Sequence, residues 1–125
     1  MDQVLAVAKA LSDSNRLKIV LALLEYDELC ACQITELLQV TGATASRHLA
    51  LLVAAGLLAS RKEGRWVYYK LNAETIAEPV LNWISGTLAG SAELSAVSAA
   101  LKEIAAADPE ELCRKQRGDA CCPGK

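Results

Sequence analysis

The sequence of 125 residues has few aromatic side chains and no phenylalanine. Hydrophobic residues nevertheless make up 53% of the chain, and many of them are Ala and Leu. Because Ala and Leu lose little conformational entropy in a helix, this composition favours helices over a β-sandwich. The length predicts one domain with a core of its own.

Long hydrophobic runs are also absent. The longest apolar stretch, Leu49–Ala59, has 11 residues and includes Gly56. Because a membrane-spanning helix needs roughly 20 apolar residues, we expect no membrane segment. The first residues, Met1-Asp2-Gln3, lack the basic start of a secretory signal. A cytoplasmic protein without a membrane partner is therefore the expectation.

Features of enzymes are scarce as well. The chain has one histidine, no glycine-rich phosphate loop and no Cys-X-X-Cys pair of the thioredoxin type. We therefore expect no enzymatic activity and no organic cofactor.

Charge is distributed unevenly along the chain. The net charge is -2, which by itself disfavours nucleic acid as a partner. Residues 40–72, however, carry five basic side chains and one acid, Glu63, whereas the rest has 8 basic and 14 acidic residues. A basic segment on an acidic protein is typical of a DNA-contacting surface.

Hydrophobic spacing predicts helices in the first half of the chain. A first helix contains Val4, Leu5, Ala8 and Leu11, and Asp13 is placed to cap a second. The second has an apolar stripe at Leu17, Val20, Leu21 and Leu24, and a connection over residues 26–29 follows it. A third predicted helix, Cys32–Gln39, turns Ile34, Leu37 and Leu38 inward. A fourth, Ala43–Ala55, is capped by Thr41 and ends at Gly56. Its buried residues are expected to be Leu49, Leu52 and Val53.

The period changes after Gly56. Residues 57–62 and 65–71 predict a β-hairpin with Glu63-Gly64 as its turn. Asn72 is placed to cap a further helix that tolerates Pro79 and turns Leu81, Ile84 and Leu88 inward, and Glu93–Ala106 resumes the helical pattern. Residues 1–108 are expected to form the DNA-binding domain, and residues 109–125 a flexible, cysteine-containing tail.

Two short helices joined by a tight turn and followed by a basic hairpin form a helix-turn-helix with a wing. The predicted fold class is therefore mainly α with a small β-hairpin, in the order α-α-α-α-β-β-α. On the second of the two helices, the first residues would enter the major groove of double-stranded DNA. The candidate DNA-binding residues are Thr44, Ser46, Arg47, His48, Arg61, Lys62 and Arg65.

Each of these candidates also has a purely structural interpretation. Thr44 and Ser46 suit ordinary capping, and Arg47 suits a solvated helix face. His48 precedes the apolar Leu49 and can simply hydrogen-bond within the motif. A charged hairpin can also serve to protect a sheet edge.

Five cysteines, at positions 30, 32, 113, 121 and 122, are the other notable feature. An odd number in a reducing compartment argues against a disulfide framework and favours a soft metal or a redox response. Residues i and i+2 point about 200° apart on an α-helix but share a face in extended chain. Binding of one ion by Cys30 and Cys32 therefore requires the first turn of their helix to be non-helical.

From Ala10 to Leu71 the sequence resembles the ArsR/SmtB family of metal-responsive winged-helix repressors. The resemblance rests on residues 11–17, Glu28-Leu29-Cys30-Ala31-Cys32, Ser46-Arg47-His48-Leu49, residues 55–58 and residues 64–71. It implies a homodimer held by its first and last helices. It also implies binding to a palindromic operator without inducer and release when the inducer binds.

The same resemblance indicates As(III) or Sb(III), each typically held by three sulfurs, as the inducer. The sequence departs from the arsenic-sensor pattern at Thr35, where a further cysteine often stands. A third sulfur would then come from Cys113, Cys121 or Cys122, or from a small thiol. Zinc sensors of the family use histidines on the last helix, and cadmium or lead sensors use an N-terminal cysteine arm, neither of which this sequence contains. Cadmium or lead, and a thiol-redox switch on the same fold, are the alternatives.

Overall fold

The computed structural model describes residues 1–72 and 78–115, and the side chains of residues 113–115 are outside that description. It contains seven helices and three short strands within these ranges. In chain order they are α1 (Asp2–Leu11), α2 (Ser14–Glu25), β1 (Leu29–Cys30), α3 (Ala31–Leu38), α4 (Gly42–Ala54), β2 (Leu58–Glu63), β3 (Trp66–Leu71), α5 (Glu78–Leu88), α6 (Ala92–Ala106) and α7 (Pro109–Lys115).

Side-chain caps fix where the central helices begin. The carboxylate of Asp13 accepts hydrogen bonds from the amides of Asn15 and Arg16 at 2.9 and 3.2 Å. The hydroxyl of Thr41 accepts one from the amide of Thr44 at 3.2 Å. Both predicted caps are confirmed, because each satisfies amides that have no partner inside the helix.

The sheet contains one strand that the sequence did not reveal. Its order is β1-β3-β2, and both pairs are antiparallel. The sequence predicts Leu29 in a connection and Cys30 at the opening of the next helix, but the two residues pair with Tyr69 and Tyr68 of β3. A strand of two residues is too short to show an alternating hydrophobic pattern, which explains why it was missed.

The hairpin turn lies one residue later than expected. Glu63 pairs with Trp66, so the two turn residues are Gly64 and Arg65 rather than Glu63-Gly64. Gly64 has a φ of 62°, which a glycine at the first central position of a hairpin turn accommodates without steric cost.

The core is built around α2. Ile19 and Val20 of that helix are fully buried, and α6 packs alongside it through Val97 and Leu101. Two predicted core residues were assigned wrongly, since Leu24 and Val53 are 38% and 37% exposed. The buried residues of α2 are Ile19–Leu23, and both α4 and α6 pack on this helix.

The end of the described chain differs from the expected tail. Residues 109–115 form α7, which packs against α3, and Leu112 is buried there. Residues 116–125 lie outside the described part, as do residues 73–77, on which the predicted cap by Asn72 depends. Within the described ranges, none of the helices combines the length and the hydropathy of a membrane span.

Candidate DNA-binding surface and thiol site

The α4 helix presents polar side chains at its N-terminal end. Ser46 and Arg47 are exposed, whereas Thr44 is half-buried. The hydroxyl groups of Thr41 and Thr44 lie 3.0 Å apart, and Thr41 caps the helix. The α3 helix packs against α4. This arrangement leaves Ser46 and Arg47 as the groups of this turn that are open to a DNA groove.

His48 is half-buried and faces the start of α2. Its Nδ1 lies 3.3 Å from Nη1 of Arg16. The Nε and Nη2 atoms of that arginine donate to the carbonyl oxygens of Ala10 and Lys9. Arg16 therefore joins the end of α1 to α4, and His48 belongs to this internal network. Its role as a DNA ligand stays a prediction.

Arg61 on β2 is held by two carboxylates. Its Nε and Nη2 donate to the two carboxylate oxygens of Glu28 at 2.7 and 2.9 Å, and its Nη1 donates to Glu63 at 2.7 Å. The guanidinium also stacks 4.6 Å from the centre of the Tyr68 ring. The hydrogen bond from Arg61 lowers the pKa of Glu28 below its usual value. A two-pronged contact of this kind fixes the wing against the loop before β1.

Arg65 in the hairpin turn contacts a carboxylate far away in the sequence. Its Nη2 lies 2.5 Å from Oε2 of Glu110 on α7, and both side chains are more than half exposed. Its guanidinium lies 5.6 Å from the ring of Trp66. Lys62 is exposed and has no ion pair with a carboxylate in the described part of the chain.

Cys30 occupies the junction of a strand and a helix. It ends β1, and it is also the N-cap of α3, with extended backbone at φ -85° and ψ 163°. Its amide donates to Oε1 of Gln33 at 2.9 Å, and its sulfur faces the amide of Gln33 in a capping box. A thiol thus stands where serine or threonine is usual.

Cys32 lies two residues farther on, inside the first turn of α3. Both cysteines pack in one group with Ile104 and Leu112, which we call the thiol cluster. Because Cys30 is in extended conformation, the 200° separation of two helical residues does not apply to this pair. The geometry is therefore compatible with a shared ligand without unwinding of the helix.

The two sulfurs differ in chemical state. Cys30 is a buried free thiol, whereas Cys32 is fully buried and disulfide-bonded. Burial raises the pKa of the Cys30 thiol, and hydrogen bonds from backbone amides oppose this rise only in part. Cys30 is therefore protonated at neutral pH, and Cys32 requires reduction before it can bind a metal.

The remaining predicted ligands lie elsewhere. Cys113 belongs to α7, but its side chain is outside the described part of the structure, and so are Cys121 and Cys122. Among the described residues, no three His, Cys, Asp or Glu side chains are grouped to hold a metal ion. Thr35 stands where the arsenic-sensor pattern often has a further cysteine. It is buried, and its hydroxyl donates to the Ala31 carbonyl at 2.8 Å.

Comparison with known proteins identifies the family to which this fold belongs. The sequence model of the bacterial regulatory protein, arsR family, matches residues 13–60. An arsenic resistance transcriptional regulator of Pseudomonas putida is 39% identical over 67% of this chain and 62% of its own length. This chain belongs to the ArsR family.

Other relatives are named for resistance to different elements. The arsenical resistance operon repressor of Escherichia coli is 50% identical over 51% of this chain and 55% of its own length. A cadmium resistance regulatory protein homologue of Staphylococcus aureus is 45% identical over 59% of this chain and 61% of its own length. The chain thus matches less than two thirds of each of these regulators.

A solved structure supports the winged-helix assignment. HlyU from Vibrio cholerae aligns with a TM-score of 0.63 and 27% identity, over 70% of this chain and 94% of that one. The relatives are transcriptional regulators rather than enzymes, as expected from the sequence.

Three residues of the candidate DNA-binding surface and thiol site were not predicted from the sequence. Glu28 and Glu110 come from outside the basic segment, and only tertiary contacts bring them to the wing. The third is Gln33, for which a sequence indication existed, because a polar residue with Gln three positions later is the spacing of a capping box.

Proposed function

We propose that this ArsR-family chain is a transcriptional repressor that binds operator DNA as a homodimer and is released when As(III) or Sb(III) binds Cys30 and Cys32. A third thiolate would come from Cys113, Cys121 or Cys122. The observation that carries the proposal is the position of Cys30, which pairs with the wing strand β3 and caps the helix that packs on α4. A ligand that moves Cys30 would disturb both DNA-contacting elements.

The chemistry of arsenite suits a buried, protonated thiol. Neutral arsenous acid gains one As–S bond for each thiol, while the thiol proton leaves with a hydroxyl group as water. A divalent cation such as Cd²⁺ instead requires that each thiol lose its proton to solvent. Because burial raises the pKa of Cys30, the site disfavours the thiolate form and favours the neutral metalloid at neutral pH.

Thiol oxidation is the second candidate input. The observation that favours it is the disulfide at Cys32 in a cluster that also holds the free Cys30. Because Cys30 is a free thiol, we propose that the disulfide partner is one of the C-terminal cysteines, Cys113, Cys121 or Cys122. Peptide mapping of the oxidised protein by mass spectrometry would identify the partner among the C-terminal cysteines.

Support for a homodimer comes from an apolar surface on α1 and α5. A groove of about 420 Å³ is lined there mainly by aliphatic side chains and by Trp83. Trp83 and Val4 are 67% and 64% exposed. An exposed apolar patch of this kind is typical of a protein–protein interface. The proposed dimer therefore uses α1 and α5.

The test is operator release by the fully reduced protein. An operator duplex is first selected from random sequences by binding to the reduced chain. The parent, Cys30→Ser and Cys32→Ala are each bound to this duplex, and arsenite is then titrated into the complexes. We expect all three proteins to bind the duplex and only the parent to be released. Alanine is chosen at position 32 because an unpaired hydroxyl at a fully buried site costs about 1–3 kcal/mol.

Three further outcomes separate the candidates. Release of both variants at the parent's arsenite concentration would rule out Cys30 and Cys32 as ligands. Release by peroxide but not by arsenite would favour the redox input. Release by Cd²⁺ that strengthens steeply as the pH rises, without an arsenite response, would favour a cadmium sensor.

A further inference from the structure

The short helix α7 contacts both the thiol cluster and the wing. Leu112 is 6% exposed and packs with Cys30 and Cys32. Two residues earlier on the same helix, Glu110 pairs with Arg65 in the hairpin turn at 2.5 Å. One rigid turn of helix therefore connects the proposed inducer site to a proposed DNA contact.

This contact competes with DNA. An arginine at the tip of a wing attracts phosphate, but a carboxylate paired with it cancels much of that attraction and repels the phosphate backbone. Glu110 and Glu111 place two acidic side chains in the first turn of α7. The electrostatic attraction between Arg65 and a DNA phosphate is therefore weakened while Glu110 is paired with Arg65.

The strength of this competition depends on the docking of α7. An exposed ion pair on its own stabilises a structure by about 0–1 kcal/mol, so phosphates would displace a freely moving carboxylate. The backbone at Glu110 is held in place, because α7 packs on α3 and Leu112 is buried in the thiol cluster. Docking therefore holds the negative charge at the wing.

We propose that α7 is an autoinhibitory element, which, when docked on the thiol cluster, holds Glu110 against Arg65 and weakens operator binding. The inference rests on the proposed function in one respect, the contact between the wing and DNA. It adds a physical route by which a change at Cys30 or Cys32 reaches the wing, since any ligand or bond that tightens α7 on the cluster strengthens the inhibition.

The experiment compares Glu110→Gln with its neighbour Glu111→Gln in the full, reduced chain. Both side chains are exposed, lie in the same turn and lose one negative charge, but only Glu110 pairs with Arg65. Operator affinity is measured by fluorescence anisotropy at low salt. We expect Glu110→Gln to bind about 3- to 5-fold more tightly than Glu111→Gln, in keeping with the strength of one exposed ion pair. In an Arg65→Gln background the difference should disappear.

The outcomes are distinguishable from failure of the DNA-binding proposal. If Arg65→Gln weakens operator binding neither in the parent nor in the Glu110→Gln background, the assumed wing contact is wrong. If Arg65→Gln weakens binding but Glu110→Gln and Glu111→Gln behave alike, the wing contact stands and autoinhibition by Glu110 is refuted. Weaker binding by Glu110→Gln would also refute it, since Glu110 would then support the DNA-bound wing.

Discussion

At the scale of single residues, Cys30 serves two local structures at once. It pairs with Tyr68 of β3 through its backbone and caps α3 through its side chain. Serine is among the preferred N-cap residues, so Cys30→Ser removes the soft ligand and keeps the cap. This substitution is therefore a cleaner probe of metal binding than any change at the fully buried Cys32.

The same residue yields a prediction about stability and pH. Burial raises the pKa of Cys30 in the folded chain, so the unfolded chain loses this proton first as the pH rises. The resulting stabilisation is present below the unfolded pKa of about 8.5 and is lost as the pH rises through the folded pKa. Because serine does not titrate, we expect the parent to lose stability relative to Cys30→Ser above about pH 8.5.

Urea unfolding of both proteins under reducing conditions checks this expectation, at about pH 7 and at about pH 10. The other four cysteines are common to both proteins, so their titration cancels in the comparison. An unchanged stability difference between the two pH values would mean that Cys30 ionises equally well in the folded and unfolded chains.

At the scale of elements, the basic side chains of α4 and of the wing differ in whether they are paired with carboxylates. Arg47 on α4 is exposed and pairs with no carboxylate in the described ranges. Arg61 on the wing is bound by Glu28 and Glu63. A cation that is already neutralised releases fewer counterions from DNA. We therefore expect Arg61 to position the wing and Arg47 to contribute more to the salt dependence of operator binding.

This difference can be measured from the slope of log K against log salt. We expect Arg47→Ala to weaken operator binding and to reduce the slope by about one unit. Arg61→Gln should reduce the slope by much less, although it loses one positive charge as well. Circular dichroism controls for folding of both variants. Equal changes in slope would contradict the structural role assigned to Arg61.

At the scale of the whole molecule, α1 and α5 expose an apolar surface around a groove of about 420 Å³. Trp83 is 67% exposed and lines this groove. A charged side chain at this position would be buried without a partner in the proposed dimer. We expect Trp83→Lys to weaken dimerisation at least ~10-fold, as loss of a buried tryptophan anchor does. Leu24→Lys on α2 is the control, since Leu24 is exposed but does not line the groove.

Sedimentation equilibrium of the reduced proteins measures this effect. Because a dimer is expected to bind two half-sites about one helical turn apart, Trp83→Lys should also lose tight binding to a palindromic duplex. Dimers of Trp83→Lys and Leu24→Lys that dissociate equally would place the interface elsewhere on the molecule.

Elements that depend on neighbouring residues could be predicted from the order of amino acids alone. Asp13 and Thr41 begin helices because their side chains satisfy nearby backbone amides. The change of hydrophobic period after Gly56 identified the wing, although the turn was placed one residue too early. Cys30 and Cys32 were selected as a soft-metal pair from residue type and spacing alone. These features depend on neighbours within a few positions, which a sequence displays directly.

Contacts between residues that are far apart in the sequence became visible in the folded chain alone. The strand β1 exists because β3 pairs with it, and Glu28 and Glu110 reach the wing from outside the basic segment. Residues 109–115 were expected in a flexible tail, yet α7 packs on α3 because Leu112 buries its side chain in the thiol cluster. Burial and charge pairing over long sequence separations depend on the arrangement of the whole core, and no local pattern encodes that arrangement.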